Sequence, residues 1–331
     1  MSVIYKILMF LLMFKILVIG FSFKAYAEEN FETWLSSYKM FALKEGISQK
    51  TINIAFKNVK FLEQVIKYDR KQPEFFEDTK TYVGKRANIL RVKIAKKLLK
   101  ANKILFDDVE NKFFVEKEIL LALWSIETNF GKHVGKMDII SSLATLSYDK
   151  RRSDFFSSQL LTLLKLIDKK LIDPSALYGS WAGAYGNFQF MPSTIERYAI
   201  DYDNDNKIEL KSSLHDSLAS AANYINSIGW KRGQPCFLKV KLTNNIKEKY
   251  INSSARTISN RLKIQKWKKK GVINFDGTEL KTNLKAALIL PDGKPGSPAF
   301  LVFKNYEKIL KWNRSLIFVI SVCTLANMIK I

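Results

Sequence analysis

The apolar and polar positions of the chain follow a helical period from residue 31 to residue 233. Near its start, Phe31, Trp34 and Tyr38 recur at steps of three and four residues, as in an amphipathic helix. The same period predicts one basic helix over Leu90–Leu105. A turn is predicted at Asp69–Phe75, where a proline restricts the residue before it. Further helices are predicted at residues 116–130, 153–170, 192–199 and 214–228.

The period changes to two after residue 234. Leu238, Val240 and Leu242 alternate with Lys239 and Lys241, which predicts a strand with one apolar face. Clusters of proline and glycine supply turns between the apolar runs that follow. Further strands are predicted at residues 272–275, 286–290 and 299–303.

These patterns predict an α+β fold that is mainly α. We expect a helical domain formed by residues 28–108 with 305–331, a helical block at 109–233, and a small β-rich subdomain at 234–304. The last apolar run, Leu316–Ile329, is shorter than the roughly 20 residues that span a bilayer. It is therefore predicted to be a core helix.

The first 27 residues have the composition of an export signal. They contain Lys6, Lys15 and Lys24, no acidic residue, and two short apolar stretches that end in small residues at Ala25 and Ala27. This arrangement predicts a secretory signal cleaved after Ala27, and hence a periplasmic protein. An uncleaved membrane anchor is the alternative, because Lys15 interrupts the apolar centre. No cysteine follows the signal, so no lipid anchor is expected.

The chain is strongly basic, with a formal net charge of +23, and loss of the three signal lysines lowers this to +20. Such a charge favours a polyanionic partner, namely a cell-wall polymer, an anionic lipid or a nucleic acid. Nucleic acid is not expected, because no DNA-reading motif is present and the predicted export argues against one. We expect a monomer.

Histidine and cysteine are scarce. Only His133 and His215 are present, which argues against a catalytic zinc site and against histidine-dependent hydrolases. Cys236 and Cys323 fit no zinc spacing and allow one optional disulfide. Carboxylates are therefore the candidate chemical groups.

Glu127 is the most informative of these carboxylates. It is the only ionisable residue of the apolar run Ile119–Gly131, which predicts a buried helix closed by a glycine. Burial is expected to raise the pKa of its side chain and to keep it protonated near neutral pH. Such a proton donor suits cleavage of a glycosidic bond. The alternative is a structural carboxylate that pairs with an arginine or faces water from the end of the helix.

A second acidic pattern predicts a calcium loop. Asp201, Asp203 and Asp205 stand at alternate positions, as the oxygen ligands of a hard cation do in a tight loop. Lys207 is expected to add its backbone carbonyl, and Asp216 is the nearest acid that can close the site. Asn206 replaces the usual glycine and tolerates the same left-handed backbone. A solvated acidic turn is the alternative.

Several segments together closely resemble the lytic transglycosylase B family over essentially the whole chain after the signal. A glycine-rich segment, Gly179–Thr194, is among them, and its glycines are expected to let the backbone approach a sugar chain closely. The matching segments are Asp69–Phe75, Ser125–Gly131, Ser142–Ser147, Arg151-Arg152, Gly183–Ser193, the aspartate loop, Ala222–Tyr224 and Trp312–Ser315.

The resemblance implies a lysozyme-like catalytic core at residues 109–233 and cleavage of the β-1,4 bond between N-acetylmuramic acid and N-acetylglucosamine in peptidoglycan. The family leaves a 1,6-anhydromuramyl end, so one carboxyl, Glu127, would act first as acid and then as base. Peptidoglycan strands are the implied partner, with cell-wall synthesis or remodelling proteins as further candidates. Calcium is the only cofactor expected.

The resemblance also implies roles for other side chains. Ser180 would orient Glu127 by a hydrogen bond, and Gln189 would contact sugar. Tyr224 and Asn313 would line the same cleft. Trp312 stands where the family usually has tyrosine, so a hydroxyl contact is expected to be lost there while sugar stacking remains. A further pair, Arg151 and Arg152, would meet a carboxylate of the peptide stem or of the lactyl group.

Three other functions remain open from the sequence. A muramidase of the same fold would hydrolyse the bond with water. A non-catalytic protein would only bind the wall, although Glu127 argues against it. A calcium-regulated interaction module is the fourth hypothesis.

Overall fold

The computed structural model of the chain describes residues 30–71, 77–294 and 296–330. The predicted signal at residues 1–27 and most of the predicted turn at Asp69–Phe75 lie outside the described residues.

Helices form most of the regular structure in the described part. Several begin at a polar side chain that accepts an amide hydrogen bond, such as Ser48, whose hydroxyl accepts from the amide of Thr51 at 3.2 Å. The helices are α1 (Phe31–Lys44), α2 (Gln49–Ala55), α3 (Glu63–Arg70), α4 (Thr79–Arg86), α5 (Ile89–Ala101), α6 (Lys103–Phe113), α7 (Lys117–Thr128), α8 (Ile139–Tyr148), α9 (Ser153–Asp168), α10 (Pro192–Tyr198), α11 (Leu214–Ser227), α12 (Ile264–Lys268), α13 (Lys304–Trp312) and α14 (Leu316–Lys330).

The single helix predicted over Leu90–Leu105 is wrong, because the chain breaks at Asn102 between α5 and α6. The backbone of Asn102 leaves the helical region, with φ −120° and ψ 33°. Its side-chain amide donates to the carbonyl of Leu98 at 3.0 Å and so closes the end of α5.

The strands form one small pair and one larger sheet. In the larger sheet the order is β4-β7-β8-β3-β6, with β5 on β7, and β3 pairs antiparallel with both β6 and β8. The strands are β1 (Met137–Asp138), β2 (Tyr178–Gly179), β3 (Phe237–Leu242), β4 (Ile251–Asn252), β5 (Leu262–Lys263), β6 (Val272–Asn274), β7 (Lys285–Ile289) and β8 (Ala299–Val302). The larger sheet lies within the predicted β-rich region, while the domain boundaries remain predictions.

Two hydrophobic clusters hold these elements together. The first unites the helices and takes Phe300 and Val302 from one face of the sheet. The second packs α12 on the opposite face, around the fully buried Trp267. Helix α14 is buried along most of its length and packs against α7, which confirms the predicted core helix. In the described residues no single helix is long and apolar enough to cross a membrane, although α13 and α14, bent by 115°, reach that length as a pair.

A disulfide joins the segment before β3 to α14. It links Cys236 and Cys323, which are 87 residues apart, where the sequence left the pairing open. Because a cross-link removes conformations from the unfolded chain, we expect replacement of both cysteines by serine to lower the free energy of unfolding by about 2 kcal/mol. Urea denaturation measures this, with reduced wild type as the matched control. A double variant as stable as the oxidised protein would contradict the prediction.

Candidate active site

Glu127 lies in the last turn of α7, where the buried helix meets solvent. The helix is buried from Ile119 to Ser125, but Glu127 itself is only half-buried. Arg91 of α5 fixes this turn by donating to the carbonyl of Ser125 and, at 2.9 Å, to its hydroxyl. The helix ends at Thr128, earlier than predicted, because Asn129 already adopts a left-handed backbone with φ 51°. A single carboxyl is therefore presented at the end of a rigid helix.

Trp312 holds this carboxyl. Its indole nitrogen donates a hydrogen bond of 2.8 Å to Oε1 of Glu127. Trp312 has no hydroxyl, as expected, but its indole N–H supplies a polar contact at this position. Indole has a donor and no acceptor, so Oε1 must be the accepting atom in this pair.

Four aromatic rings lie side by side at this contact, and we call them the aromatic wall: Trp312, Tyr224, Tyr198 and Phe190. The ring of Trp312 stacks on Tyr224, with 5.2 Å between centroids and 24° between planes, and packs against Phe190 at 5.3 Å. Tyr224 in turn stacks on Tyr198 at 4.5 Å. Its hydroxyl donates to the carbonyl of Lys311 at 3.1 Å, and burial raises the pKa of Tyr224 to about 12. The predicted cleft residue Tyr224 therefore lies beside Trp312 and stays protonated.

The glycine-rich segment is attached to the end of α7. Thr128 donates to the carbonyl of Asn187 at 2.8 Å, and the indole of Trp124 donates to the side chain of Asn187 at 3.0 Å. These bonds place the segment beside Glu127.

The glycines themselves approach other parts of the protein. A Cβ on Gly183 would lie 2.4 Å from Leu143, and one on Gly186 would lie 2.4 Å from the carbonyl of Leu210. Both residues also have positive φ, 82° and 79°. At these two positions the glycines permit a close approach of the protein's own atoms, while the predicted approach of a sugar chain stays a prediction.

The Ser180 hydroxyl lies in a turn of the glycine-rich segment. Its hydroxyl oxygen accepts from the amides of Ala182 at 3.2 Å and Ala184 at 3.0 Å, which closes a tight turn. Trp312 donates an orienting hydrogen bond to Glu127, and the predicted bond from Ser180 to Glu127 stays a prediction. A contact from Ser180 to substrate stays a prediction.

Gln189 and Asn313 lie close to this wall. The side-chain amide nitrogen of Gln189 donates to the carbonyls of Val134 at 3.1 Å and Gly186 at 2.9 Å. Its oxygen has no hydrogen-bond partner in the part of the chain that the structure describes. Asn313 ends α13 directly after Trp312 and is half-buried. Both residues have acceptor or donor atoms left for a ligand.

The arginine pair is fixed by a buried aspartate. Asp69 is 2 % exposed, and its carboxylate binds both Arg151, at 2.6 Å, and Arg152. The Arg152 guanidinium also lies 4.8 Å from the ring centre of Phe156. The two arginine side chains remain partly exposed. They could still reach a substrate carboxylate, and that contact stays a prediction.

Three of the five predicted calcium ligands come together. Carboxylate oxygens of Asp201, Asp203 and Asp205 lie within 4.8 Å of one another. The predicted left-handed backbone of Asn206 is confirmed, with φ 68°. The amide of Lys207 donates to Asp205 at 2.9 Å and tightens the loop. Three converging oxygens on a tight loop fit a hard cation.

Asp216 does not join this cluster. Its two oxygens accept from the amides of Tyr202 at 2.8 Å and Glu209 at 2.9 Å, across the two ends of the loop. Burial raises the pKa of Asp216, and the negative charges of Asp203 and Asp201 raise it further. Asp216 therefore closes the loop through hydrogen bonds, and its predicted role as the closing ligand is not supported by this arrangement.

Comparison with known proteins identifies the family. The family model described as the transglycosylase SLT domain matches residues 30–327. The chain belongs to this family. The family resemblance predicted from the sequence motifs is thereby confirmed.

Two relatives of the transglycosylase SLT family share more than a third of the aligned residues. Membrane-bound lytic murein transglycosylase B of Escherichia coli K12 is 36% identical over 155 residues, which cover 44% of this chain and 43% of that protein. The aligned stretch thus spans less than half of that relative. The crystal structure of SltB3 from Pseudomonas aeruginosa in complex with NAG-NAM-pentapeptide is 35% identical, with a TM-score of 0.82, and covers 91% of this chain and 80% of that one.

A more distant structure shares the fold. Slt35 of Escherichia coli, in complex with calcium, is 24% identical with a TM-score of 0.75, and covers 94% of this chain and 95% of that one. The predicted class, mainly α with a small sheet and a lysozyme-like core, is confirmed.

One contact of the site could not be found from this family's motifs alone. Trp312 departs from the family's usual tyrosine, and its contact with Glu127 joins residues 185 positions apart. The only signal in the sequence was that an aromatic residue with a donor stands directly before Asn313.

Proposed function

We propose that the chain is a peptidoglycan lytic transglycosylase that cleaves the β-1,4 bond between N-acetylmuramic acid and N-acetylglucosamine. The observation that carries the proposal is the single carboxyl of Glu127, held by Trp312 inside an aromatic wall. Membership of the transglycosylase SLT family supports it, as does the NAG-NAM-pentapeptide bound to the related SltB3.

In the first step Glu127 acts as the acid. Trp312 donates to Oε1, so the carboxyl proton belongs on Oε2, from which it passes to the leaving oxygen. The position at the C-terminal end of α7 also favours the neutral carboxyl, because this end of a helix carries partial negative charge. Transfer of the proton lets the bond to the leaving oxygen break as positive charge develops on the anomeric carbon.

In the second step the same group acts as the base. The Glu127 carboxylate takes the proton of the muramyl 6-hydroxyl, whose oxygen then bonds to the anomeric carbon. The product is a 1,6-anhydromuramyl end, no water is consumed, and Glu127 regains its proton. Trp312 stabilises the carboxylate between the two steps, since a hydrogen bond to a charged acceptor is stronger than one to a neutral acceptor.

Mass spectrometry of the fragments released from purified sacculi tests this function. A lytic transglycosylase releases anhydromuramyl ends. A hydrolytic muramidase releases reducing ends that are heavier by one water, and a purely wall-binding protein releases nothing. Either of the last two results would overturn the proposal.

We also propose that the loop with Asp201, Asp203 and Asp205 holds a structural Ca²⁺, with the Lys207 carbonyl as a further ligand. The convergence of three carboxylates supports this, as does the calcium complex of the fold relative Slt35. Bound calcium would neutralise the repulsion among the three aspartates and would keep the glycine-rich segment packed on the loop, through the bond from the Asn187 amide to Leu210 at 2.8 Å.

Calcium removal is expected to lower thermal stability. An ion that binds only the folded chain stabilises it by about 2.7 kcal/mol at a concentration 100 times its dissociation constant. We therefore expect the melting temperature to fall on chelation with EGTA and to recover with Ca²⁺. Asp203→Asn/Asp205→Asn is the matched variant, and its melting temperature should respond little to calcium. Equal melting temperatures of the wild type with EGTA and with Ca²⁺ would contradict the site.

We further propose that the protein acts in the periplasm after cleavage behind Ala27. The composition of residues 1–27 supports this. N-terminal sequencing of the exported protein tests it, and a mature chain that begins at Met1 would favour the membrane anchor instead.

A further inference from the structure

Half of the net positive charge of residues 28–331 lies in residues 234–303, which include the larger sheet. Residues 234–303 contain 14 lysines and arginines against four aspartates and glutamates, a net charge of +10 out of the +20 of the chain without residues 1–27. Most of these lysines are exposed and scattered. Two of them, Lys239 and Lys241, converge on one exposed aromatic ring, that of Phe275.

The geometry around this ring is well defined. The Nζ atoms of Lys239 and Lys241 lie 3.6 Å and 5.0 Å from the ring centre, within the range of cation–π contacts. The ring is nevertheless 48% exposed. The amide of Phe275 donates to the carbonyl of Lys239 at 3.1 Å, which extends the pairing of β3 and β6 by one residue. Both lysines and the ring therefore stand on regular backbone.

Side-chain alternation places these groups on one face of the sheet. Lys241 lies opposite Ile273, so Lys239, Lys241, Ile273 and Phe275 point to the same side. We call these four residues the basic-aromatic platform. The same face carries Phe237 and Phe300, which pack against the helical core. The platform is thus the uncovered end of the face whose other end is covered by the helical core.

The platform is joined to the active site through two paired strands and one helix. Strand β8 pairs with β3 and continues directly into α13, whose last residue is Trp312. A polymer bound on the platform would therefore be held at a fixed position relative to Glu127.

We propose that the basic-aromatic platform is an accessory binding surface for peptidoglycan, outside the catalytic cleft. A sugar ring or peptide group would pack on Phe275, and the lysines would bind carboxylates of the stem peptides. The inference rests on the proposed function for its choice of polymer. A single partly exposed aromatic ring on flat strands does not suit insertion into a lipid surface, which uses a whole apolar helix face. Alternating cations beside a ring suit an extended, carboxylate-bearing polymer.

Co-sedimentation with purified sacculi tests this proposal. Measured in a Glu127→Gln background to prevent digestion, Lys239→Glu/Lys241→Glu and Phe275→Ala should each weaken binding about fivefold. The charge-reversal variant should also reduce the salt dependence of binding. In the active background, both variants should release fragments from sacculi more slowly while cleaving a short soluble glycan at the wild-type rate.

The matched control is Lys266→Glu/Lys269→Glu. These exposed lysines lie on or next to α12, across the sheet, and their reversal changes the net charge by the same amount. Equal losses in the control and platform variants would overturn the proposal, as would unchanged sacculus binding in the platform variants. Platform-dependent binding to vesicles that contain phosphatidylglycerol, without platform-dependent binding to sacculi, would assign the surface to lipid instead. If the wild type releases no anhydromuramyl ends, the proposed function is overturned. The binding measurements with sacculi still test the platform in that case.

Discussion

Glu127→Gln is expected to abolish the release of anhydromuramyl fragments from sacculi, lowering the rate by about 10³-fold. The amide has the shape of the carboxyl and can still accept the hydrogen bond from Trp312, so the fold and the contact should persist. It cannot deliver a proton to the leaving oxygen or take one from the 6-hydroxyl. Release of fragments, measured with equal amounts of folded protein, gives the ratio.

The matched control is Glu118→Gln in the first turn of the same helix. This variant should digest sacculi like wild type. Binding of the Glu127→Gln variant to sacculi should be unchanged, which separates loss of chemistry from loss of substrate. A Glu127→Gln variant that digests sacculi as fast as wild type would show that another group carries out the reaction.

Trp312→Phe is expected to lower kcat about 10- to 100-fold, because a hydrogen bond to a charged group contributes roughly 1.5–3 kcal/mol. Phenylalanine keeps an aromatic ring against Tyr224 and Phe190 but has no donor for Glu127. KM should change little, since the wall remains. Loss of the donor should also shift the pH dependence of kcat toward higher pH, because the charged form of Glu127 loses a stabilising contact.

Trp312→Tyr separates a positioning role from a merely structural one. Tyrosine restores a donor in an aromatic residue, and it is the residue that the resemblance gives for this position, so much of kcat should return. If the Phe and Tyr variants lose activity equally, the indole contributes packing alone. If both match wild type, the contact with Glu127 plays no part in catalysis.

The elements of this fold could be predicted where a local period is strong. The helices at residues 153–168 and 214–227 and the strand at 237–242 follow directly from the spacing of apolar residues. The break at Asn102 could not, because the apolar period continues through it while one side chain ends the helix. Two-residue strands such as Ile251–Asn252 depend on pairing with distant residues and leave no period of their own.

The site was predictable in its chemistry and less so in its contacts. An isolated acid in an apolar helix identified Glu127, and three alternating aspartates identified the cation loop. The partner of Glu127 comes from the far end of the chain, so no local pattern contains it. The glycines showed that close approaches occur, but only the structure shows that Gly183 approaches Leu143.

Digestion of sacculi in water enriched in oxygen-18 tests whether the carboxyl of Glu127 acts first as acid and then as base, without water as the nucleophile. We expect anhydromuramyl ends that carry no heavy oxygen, and no such ends from the Glu127→Gln variant. New reducing ends in place of anhydromuramyl ends, with heavy oxygen at the anomeric carbon, would show that water is the nucleophile and would rule out this mechanism.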